Sequence, residues 1–267
     1  MTVSRGSSAP LPRAGGHLLG IDLAADPSTT GVVVLRPRGG GRWHAEVIER
    51  RADDDLLVEL ARGASMVGVD APLGWPDEFV TSVAAHHASG TWQGGTDRTR
   101  LRYRVTDLET RRLVGGRLPL SVSTDLLGVV ALRGALLQQR WADEVWGAPA
   151  PRDGSGLVAE TYPAAAFAAW GIDAAGYKHR RRTDAARAVR ARIVDSIGRD
   201  TGRWLDLAGS ADACVDSDHV LDALVCCLVA VSIGQGATHR PDAEQEDAAR
   251  REGWIHVPTV PLADVHP

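Results

Sequence analysis

The sequence predicts an α/β protein built on one mixed five-stranded sheet that is flanked by helices. Residues 18–23 form an apolar run of strand length, and so apolar a strand is expected at the centre of a sheet. Residues 31–36 and 43–50 follow across turn residues and predict a three-strand antiparallel meander. A helix then leads to a strand at residues 66–69, and such a crossover normally returns parallel. Residues 157–161 supply the fifth strand.

Helical periodicity and capping residues predict the elements that flank this sheet. The first helix, residues 53–60, carries acids in its first turn, where the helix dipole favours them. Further helices are predicted at residues 76–88, 107–114, 123–140, 163–170, 183–197, 220–233 and 242–251, with an edge strand at 254–257. In the helix at 123–140, one apolar stripe is expected to contain Leu126, Val129, Val130, Leu136 and Leu137.

The predicted domain organisation is a single domain at residues 17–260 behind a disordered tail at residues 1–16. An insertion of helices and loops follows the fourth strand, around residues 76–140. Residues 89–104 show no periodicity, which predicts a surface loop. We expect the polar segment 89–116 to overhang the acidic residues described below and to govern access to them.

The composition excludes several classes of function. A formal net charge of -4 provides no global basic field for nucleic acid or for a membrane surface. No apolar run reaches the roughly 18 residues that span a bilayer, so no membrane partner is expected. The three cysteines have neither zinc-site spacing nor an even count, which favours a reducing cytoplasm.

Acidic residues stand at the ends of two predicted strands and at the start of one helix. Asp22 and Asp70 end strands that should lie side by side, and Asp218 and Asp222 share one helix face. Taken singly, Asp22 and Asp70 could form turns, Asp218 could cap the helix, and Asp222 could face water or an arginine. Taken together, they offer the oxygen ligands that Mg²⁺ or Mn²⁺ prefers.

Five segments of this chain resemble the domain-of-unknown-function family 429, which is described as predicted nucleases of ribonuclease-H-like fold. The segments are Gly20-Ile21-Asp22, residues 68–74 (GVDAPLG), residues 104–107 (RVTD), residues 159–163 (AETYP) with Tyr177-Lys178 after them, and residues 218–223 (DHVLDA). The resemblance covers roughly residues 18–257. It implies a ribonuclease-H-like fold in which Asp22, Asp70 and one or both of Asp218 and Asp222 are the catalytic metal ligands.

Five further residues are candidates for accessory roles: Glu160, Lys178, His219, Arg104 and Asp107. Glu160 ends a strand but has no counterpart among the ligands that the resemblance implies. Lys178 opens a basic run with Arg180–Arg182 that could bind phosphate or could be a solvated helix approach. His219 could carry a proton or be structural. The arginines between residues 98 and 117 could track phosphates, although a solvated face is the more common arrangement.

The leading functional hypothesis is a metal-dependent phosphodiesterase, expected to be a nuclease that acts on nucleic acid or on a small phosphoester. The first alternative is a nucleotide- or phosphate-binding protein of the actin-like and sugar-kinase group, in which strand-end aspartates hold magnesium through a nucleotide. The second is a catalytically silent scaffold on the same fold. Fold alone does not decide between them.

Overall fold

A computed structural model describes residues 16–48, 51–116, 118–178 and 184–267. Three predictions fall outside these residues. They are the disordered tail over residues 1–15, the basic run at Arg180–Arg182, and the end of the third strand at residues 49–50.

The sheet has six strands in the spatial order β5-β4-β1-β2-β3-β6. The strands are β1 (His17–Asp22), β2 (Gly31–Gly39), β3 (Arg42–Val47), β4 (Ala64–Asp70), β5 (Val158–Glu160) and β6 (Leu205–Asp206). β1, β2 and β3 form an antiparallel meander. β4 pairs parallel with β1, and β5 pairs parallel with β4. The α/β class, the meander and the parallel strands are therefore confirmed, with the first strand inside the sheet.

The predicted count of five strands is wrong because β6 was missed. This strand has two residues and pairs parallel with Trp43 and His44 of β3, so it is too short to carry a pattern in the sequence. The edge strand expected at residues 254–257 is also wrong. In its place Ile255 makes a single parallel bridge to Glu160 at the end of β5.

Ten α-helices surround the sheet in the described residues. They are α1 (Asp54–Ala61), α2 (Asp77–Ser89), α3 (Arg98–Arg102), α4 (Val105–Val114), α5 (Gly128–Trp141), α6 (Pro163–Ala169), α7 (Asp184–Thr201), α8 (Ala211–Asp216), α9 (Asp218–Gly234) and α10 (Glu246–Glu252). A π-helical turn, Ala142–Trp146, continues α5, and 3-10 turns occur at Pro27–Thr29 and Leu262–Asp264. None of the helices described is long and apolar enough to cross a membrane.

Three helices correct the sequence prediction, and one of them, α8, was not predicted at all. α3 lies in the segment 89–104 that was expected to be loop, and the side chain of Asp97 caps it by accepting from the Thr99 amide. In α5 the predicted apolar stripe is divided. Leu137 is fully buried, whereas Val129 and Leu136 are exposed. These side chains project from different faces of the helix, so periodicity alone placed them on one stripe incorrectly.

Helix α9 covers one face of the sheet, and every residue from Leu221 to Ile233 in it is buried. Glycines in the sheet permit this close contact. A Cβ atom added to Gly20 of β1 would overlap the carbonyl oxygen of Ala223 in α9, and one added to Gly31 would overlap that of His219. The close approach brings the start of α9 against the ends of β1 and β4.

Candidate functional site

Three carboxylates meet where β1, β4 and α9 converge. Asp22 and Asp70 are register partners in the parallel β1–β4 pair, so both strands end at the same edge. One oxygen from each of Asp22, Asp70 and Asp222 lies within 4.8 Å of the other two. The predicted convergence of these three residues is therefore confirmed.

Asp222 is the most deeply buried of the three carboxylates, with no exposed surface. Its Oδ1 accepts a hydrogen bond of 3.0 Å from the Tyr177 hydroxyl. Its Oδ2 lies 2.6 Å from Lys178 Nζ, but this ion pair lacks the angles of a hydrogen bond. Burial raises the pKa of Asp222 to about 7, although Lys178 opposes the shift.

Asp70 and Asp22 differ in how their charges are compensated. Burial and repulsion from Asp22 raise the pKa of Asp70 well above its usual range. Asp22 is 9% exposed, and its Oδ2 lies 2.6 Å from Nδ1 of His219. The hydrogen bond to Asp22 raises the pKa of His219 above its ordinary value. His219 thus fixes one oxygen of Asp22.

Asp218 is the first residue of α9 and does not belong to this cluster of three carboxylates. It does not cap the helix either. The cap is Ser217, whose side chain accepts a hydrogen bond from the Val220 amide. The role of Asp218 as a fourth metal ligand remains a prediction.

Glu160, Arg104 and Asp107 form a buried ionic group beside the carboxylate cluster. Nη2 of Arg104 lies 2.6 Å from Oε1 of Glu160 and 2.9 Å from Oδ1 of Asp107. Nη1 of Arg104 donates to the other Glu160 oxygen at 2.7 Å. Burial opposes the charge of Arg104, but Asp107 and Glu160 raise its pKa above the usual value.

The pairing of Glu160 with Arg104 explains why a third strand ends in an acid. Burial raises the pKa of Glu160, and Arg104 counteracts that shift. Its Oε2 also accepts from the Leu73 amide at 3.0 Å. Both oxygens of Glu160 are therefore engaged, so this carboxylate fastens β5 to the chain after β4. Removing Arg104 would leave the buried charge of Glu160 unpaired, at a cost of about 3–5 kcal/mol.

A cavity of about 440 Å³ opens beside the three carboxylates. Asp22, Asp70 and Lys178 contribute to its lining together with Tyr162. The apolar part of the lining includes four residues of the insertion, which are Pro119, Leu120, Leu127 and Val130. A cavity of this size matches small-molecule sites, which range over roughly 300–1,000 Å³.

The residues that border the cavity lie further along the insertion than predicted. Within the described part of segment 89–116, only Arg104 lines it. The stretch that carries Leu120 is nevertheless tied to α3, because the Ser121 hydroxyl donates to the carbonyl of Arg102 at 2.7 Å. The segment 89–116 therefore supports the rim of the site.

Three arginines of this segment contact local partners. Nε of Arg100 lies 3.8 Å from Glu78, and Arg112 contacts Glu109 at 2.5 Å. The guanidinium of Arg102 lies 5.0 Å from the ring centre of Tyr103. These contacts fit the interpretation of the arginines as a solvated face with local partners.

Sequence reasoning assigned no role to two tyrosines in the site. Tyr177 binds Asp222, and Tyr162 lines the cavity. Burial and the proximity of Asp70 raise the pKa of Tyr162 above its ordinary value. Both residues stand in segments quoted for the family resemblance, and that was the signal available in the sequence.

The fold and the site together define an α/β protein whose mixed sheet carries a cluster of three carboxylates at its strand ends. Residues 20–246 match the model of a family described as "Protein of unknown function (DUF429)". This match spans most of the chain, so the chain belongs to that family. Neither the curated proteins nor the solved structures contain a match to this chain.

Proposed function

We propose that this protein is a divalent-metal-dependent phosphodiesterase of ribonuclease-H-like fold, acting on nucleic acid or on a small phosphoester. The observation that carries the proposal is the convergence of Asp22, Asp70 and Asp222 within 4.8 Å beside a cavity. Carboxylates repel one another, and this arrangement is costly without a cation to bind. Glu160, which ends β5, is neutralised by Arg104 and needs none.

The three carboxylates fit a magnesium or manganese ion. All the donors are hard oxygens, which both cations prefer. Oδ2 of Asp222 is buried and pairs with Lys178 at 2.6 Å, and a carboxylate oxygen has a second lone pair to offer a cation. His219 contacts one oxygen of Asp22, and Tyr177 contacts the other oxygen of Asp222. Asp22, Asp70 and Asp222 would therefore hold the ion, which would activate water and stabilise the leaving oxygen.

The other residues prepare the site for this chemistry. His219 orients Asp22, and the Tyr177 hydroxyl orients Asp222, so neither carboxylate has to be reorganised when a substrate arrives. The Arg104–Glu160 pair holds β5 in place next to Asp70. The apolar residues of the insertion, including Leu120 and Leu127, line one part of the cavity.

Hydrolysis of bis(p-nitrophenyl) phosphate, a generic phosphodiester, tests the proposal. We expect turnover with MgCl2 or MnCl2, none with EDTA, and a loss of at least a hundredfold in Asp70→Asn. Single-stranded DNA and RNA oligonucleotides are tested in parallel to distinguish a polymer from a small phosphoester. If no phosphodiester is cleaved although manganese binds, hydrolysis is refuted and phosphate or nucleotide binding remains. The scaffold alternative requires that manganese does not bind.

A further inference from the structure

Lys178 lies between the buried carboxylate of Asp222 and the cavity. Its Nζ is 2.6 Å from Oδ2 of Asp222, whose side chain is 1% exposed, whereas the side chain of Lys178 is 51% exposed. Lys178 also contributes to the lining of the cavity. The ammonium group therefore contacts the carboxylate cluster on one side and is open to a ligand on the other.

The loop that carries Lys178 is fixed to the core. The ring of Tyr177 packs edge-on against Phe167, with 5.3 Å between the ring centres. The backbone carbonyl of Tyr177 accepts a hydrogen bond of 2.8 Å from the buried Arg190. Nζ of Lys178 lies 5.6 Å from the ring centre of Tyr177. The charge is thus held in position before a ligand binds.

An independent observation comes from the composition. Lys178 is the only lysine in the chain, and all the other residues with a long basic side chain are arginines. Lysine presents a compact point charge with three donors, whereas arginine presents a wide planar fork. The single compact cation of the chain is located at the carboxylate cluster, where a guanidinium would occupy more of the space.

The charges of the site set how many metal ions it can hold. Asp22, Asp70 and Asp222 carry three negative charges when ionised, and Lys178 offsets one of them. One divalent cation balances the remainder, whereas two would leave an excess of positive charge in a partly buried site.

We infer that the site binds one divalent cation and that Lys178 supplies the second positive charge to the phosphoryl group of the substrate. This inference rests on the proposed function. One proton of the ammonium faces Asp222, and among the described residues no hydrogen-bond acceptor engages the other two, which can donate to a phosphoryl oxygen in the cavity. Many phosphodiesterases use a second metal ion for this electrostatic task.

Isothermal titration of the full chain with MnCl2 tests the stoichiometry, and the Lys178→Met variant tests the role of the charge. We expect one manganese ion per wild-type chain. In Lys178→Met the loss of repulsion should tighten manganese binding at least tenfold, while turnover of bis(p-nitrophenyl) phosphate falls at least tenfold. Arg38→Met is the matched control. Asp22 pairs with Gly31 at the start of β2, whereas Arg38 lies near the end of β2 and pairs with Asp206. The control variant should change neither quantity.

Each outcome has a distinct meaning. Two manganese ions per wild-type chain would overturn the inference and leave the proposed function intact. No manganese binding would refute the proposed function. Weaker manganese binding in Lys178→Met would give Lys178 a purely structural role and overturn the inference. If the variant fails to fold, NMR of the wild type labelled with ¹⁵N-lysine replaces it, because the only lysine gives a single side-chain ammonium signal. Manganese should broaden this signal, and an unchanged signal would overturn the inference.

Discussion

Replacing Asp70 with asparagine removes one charge from the carboxylate cluster and leaves its shape almost unchanged. Two charges 4.8 Å apart repel by about 3.5 kcal/mol at an effective dielectric constant of about 20. Because the pKa of Asp70 is raised, protonation relieves part of this repulsion in the metal-free protein. The metal-free free energy of unfolding should therefore stay the same or rise, by an amount on the order of a few kcal/mol.

The same substitution should abolish the stabilisation by metal. For the wild type at a hundred times Kd, manganese should add about 2.7 kcal/mol to the free energy of unfolding. This corresponds to an increase in Tm of about 5–10 °C for a chain of this size. Differential scanning calorimetry with and without MnCl2 measures both effects, and Asp70→Asn should lose most of the increase.

Asp107→Asn is the matched control, since Asp107 is also buried but is paired with Arg104. Here the metal-free protein should lose about 1.5–3 kcal/mol, because asparagine weakens a buried charged hydrogen bond while Glu160 still pairs with Arg104. The increase in Tm with manganese should persist. The reasoning is refuted if Asp70→Asn destabilises the metal-free protein as much as Asp107→Asn does, or if both variants respond equally to manganese.

Three further predictions concern the support of the site. Gly20→Ala should lower the free energy of unfolding by at least about 1–3 kcal/mol in urea unfolding, because its Cβ would overlap the Ala223 carbonyl. Gly128→Ala should cost nothing, because its Cβ would meet the Val122 carbonyl oxygen only at a contact distance of 3.8 Å. Burial lowers the pKa of His256 from 6.5 to about 4. Below pH 6.5 the unfolded chain takes up this proton and the folded chain does not. From pH 7 to pH 5 the free energy of unfolding of the wild type should therefore fall by about 2 kcal/mol more than that of His256→Gln. Equal decreases in the two proteins would contradict this prediction. Asp218→Asn should keep most of the manganese-induced increase in Tm. If this variant lost the increase, Asp218 would be established as a fourth ligand.

The sheet was predictable because its strands carry local signals. β1 and β4 are apolar runs that end in aspartate, and the single crossover helix between them requires a parallel pair. β6 has only two residues and is a strand because it pairs with β3, so no local sequence pattern marks it. The bridge at Ile255 likewise depends on β5, a partner far away in the chain.

The candidate site was predictable in part for the same reason. Asp22 and Asp70 follow from the strand ends, and Asp222 follows from an acid in an otherwise apolar helix. The partner of Glu160 could not be derived, because Arg104 is one of many arginines and only the packing of α4 buries it. The distinction between Asp218 and Asp222 required the contact of α9 with the sheet, where Gly20 permits close approach.

Anomalous diffraction from crystals soaked in MnCl2, collected at the manganese absorption edge, is the most direct test of the metal site. The account predicts a peak bound by oxygens of Asp22, Asp70 and Asp222, at the roughly 2.0–2.2 Å expected for a small hard cation. The absence of a peak at these three carboxylates under saturating manganese, or a peak only elsewhere on the protein, would contradict it.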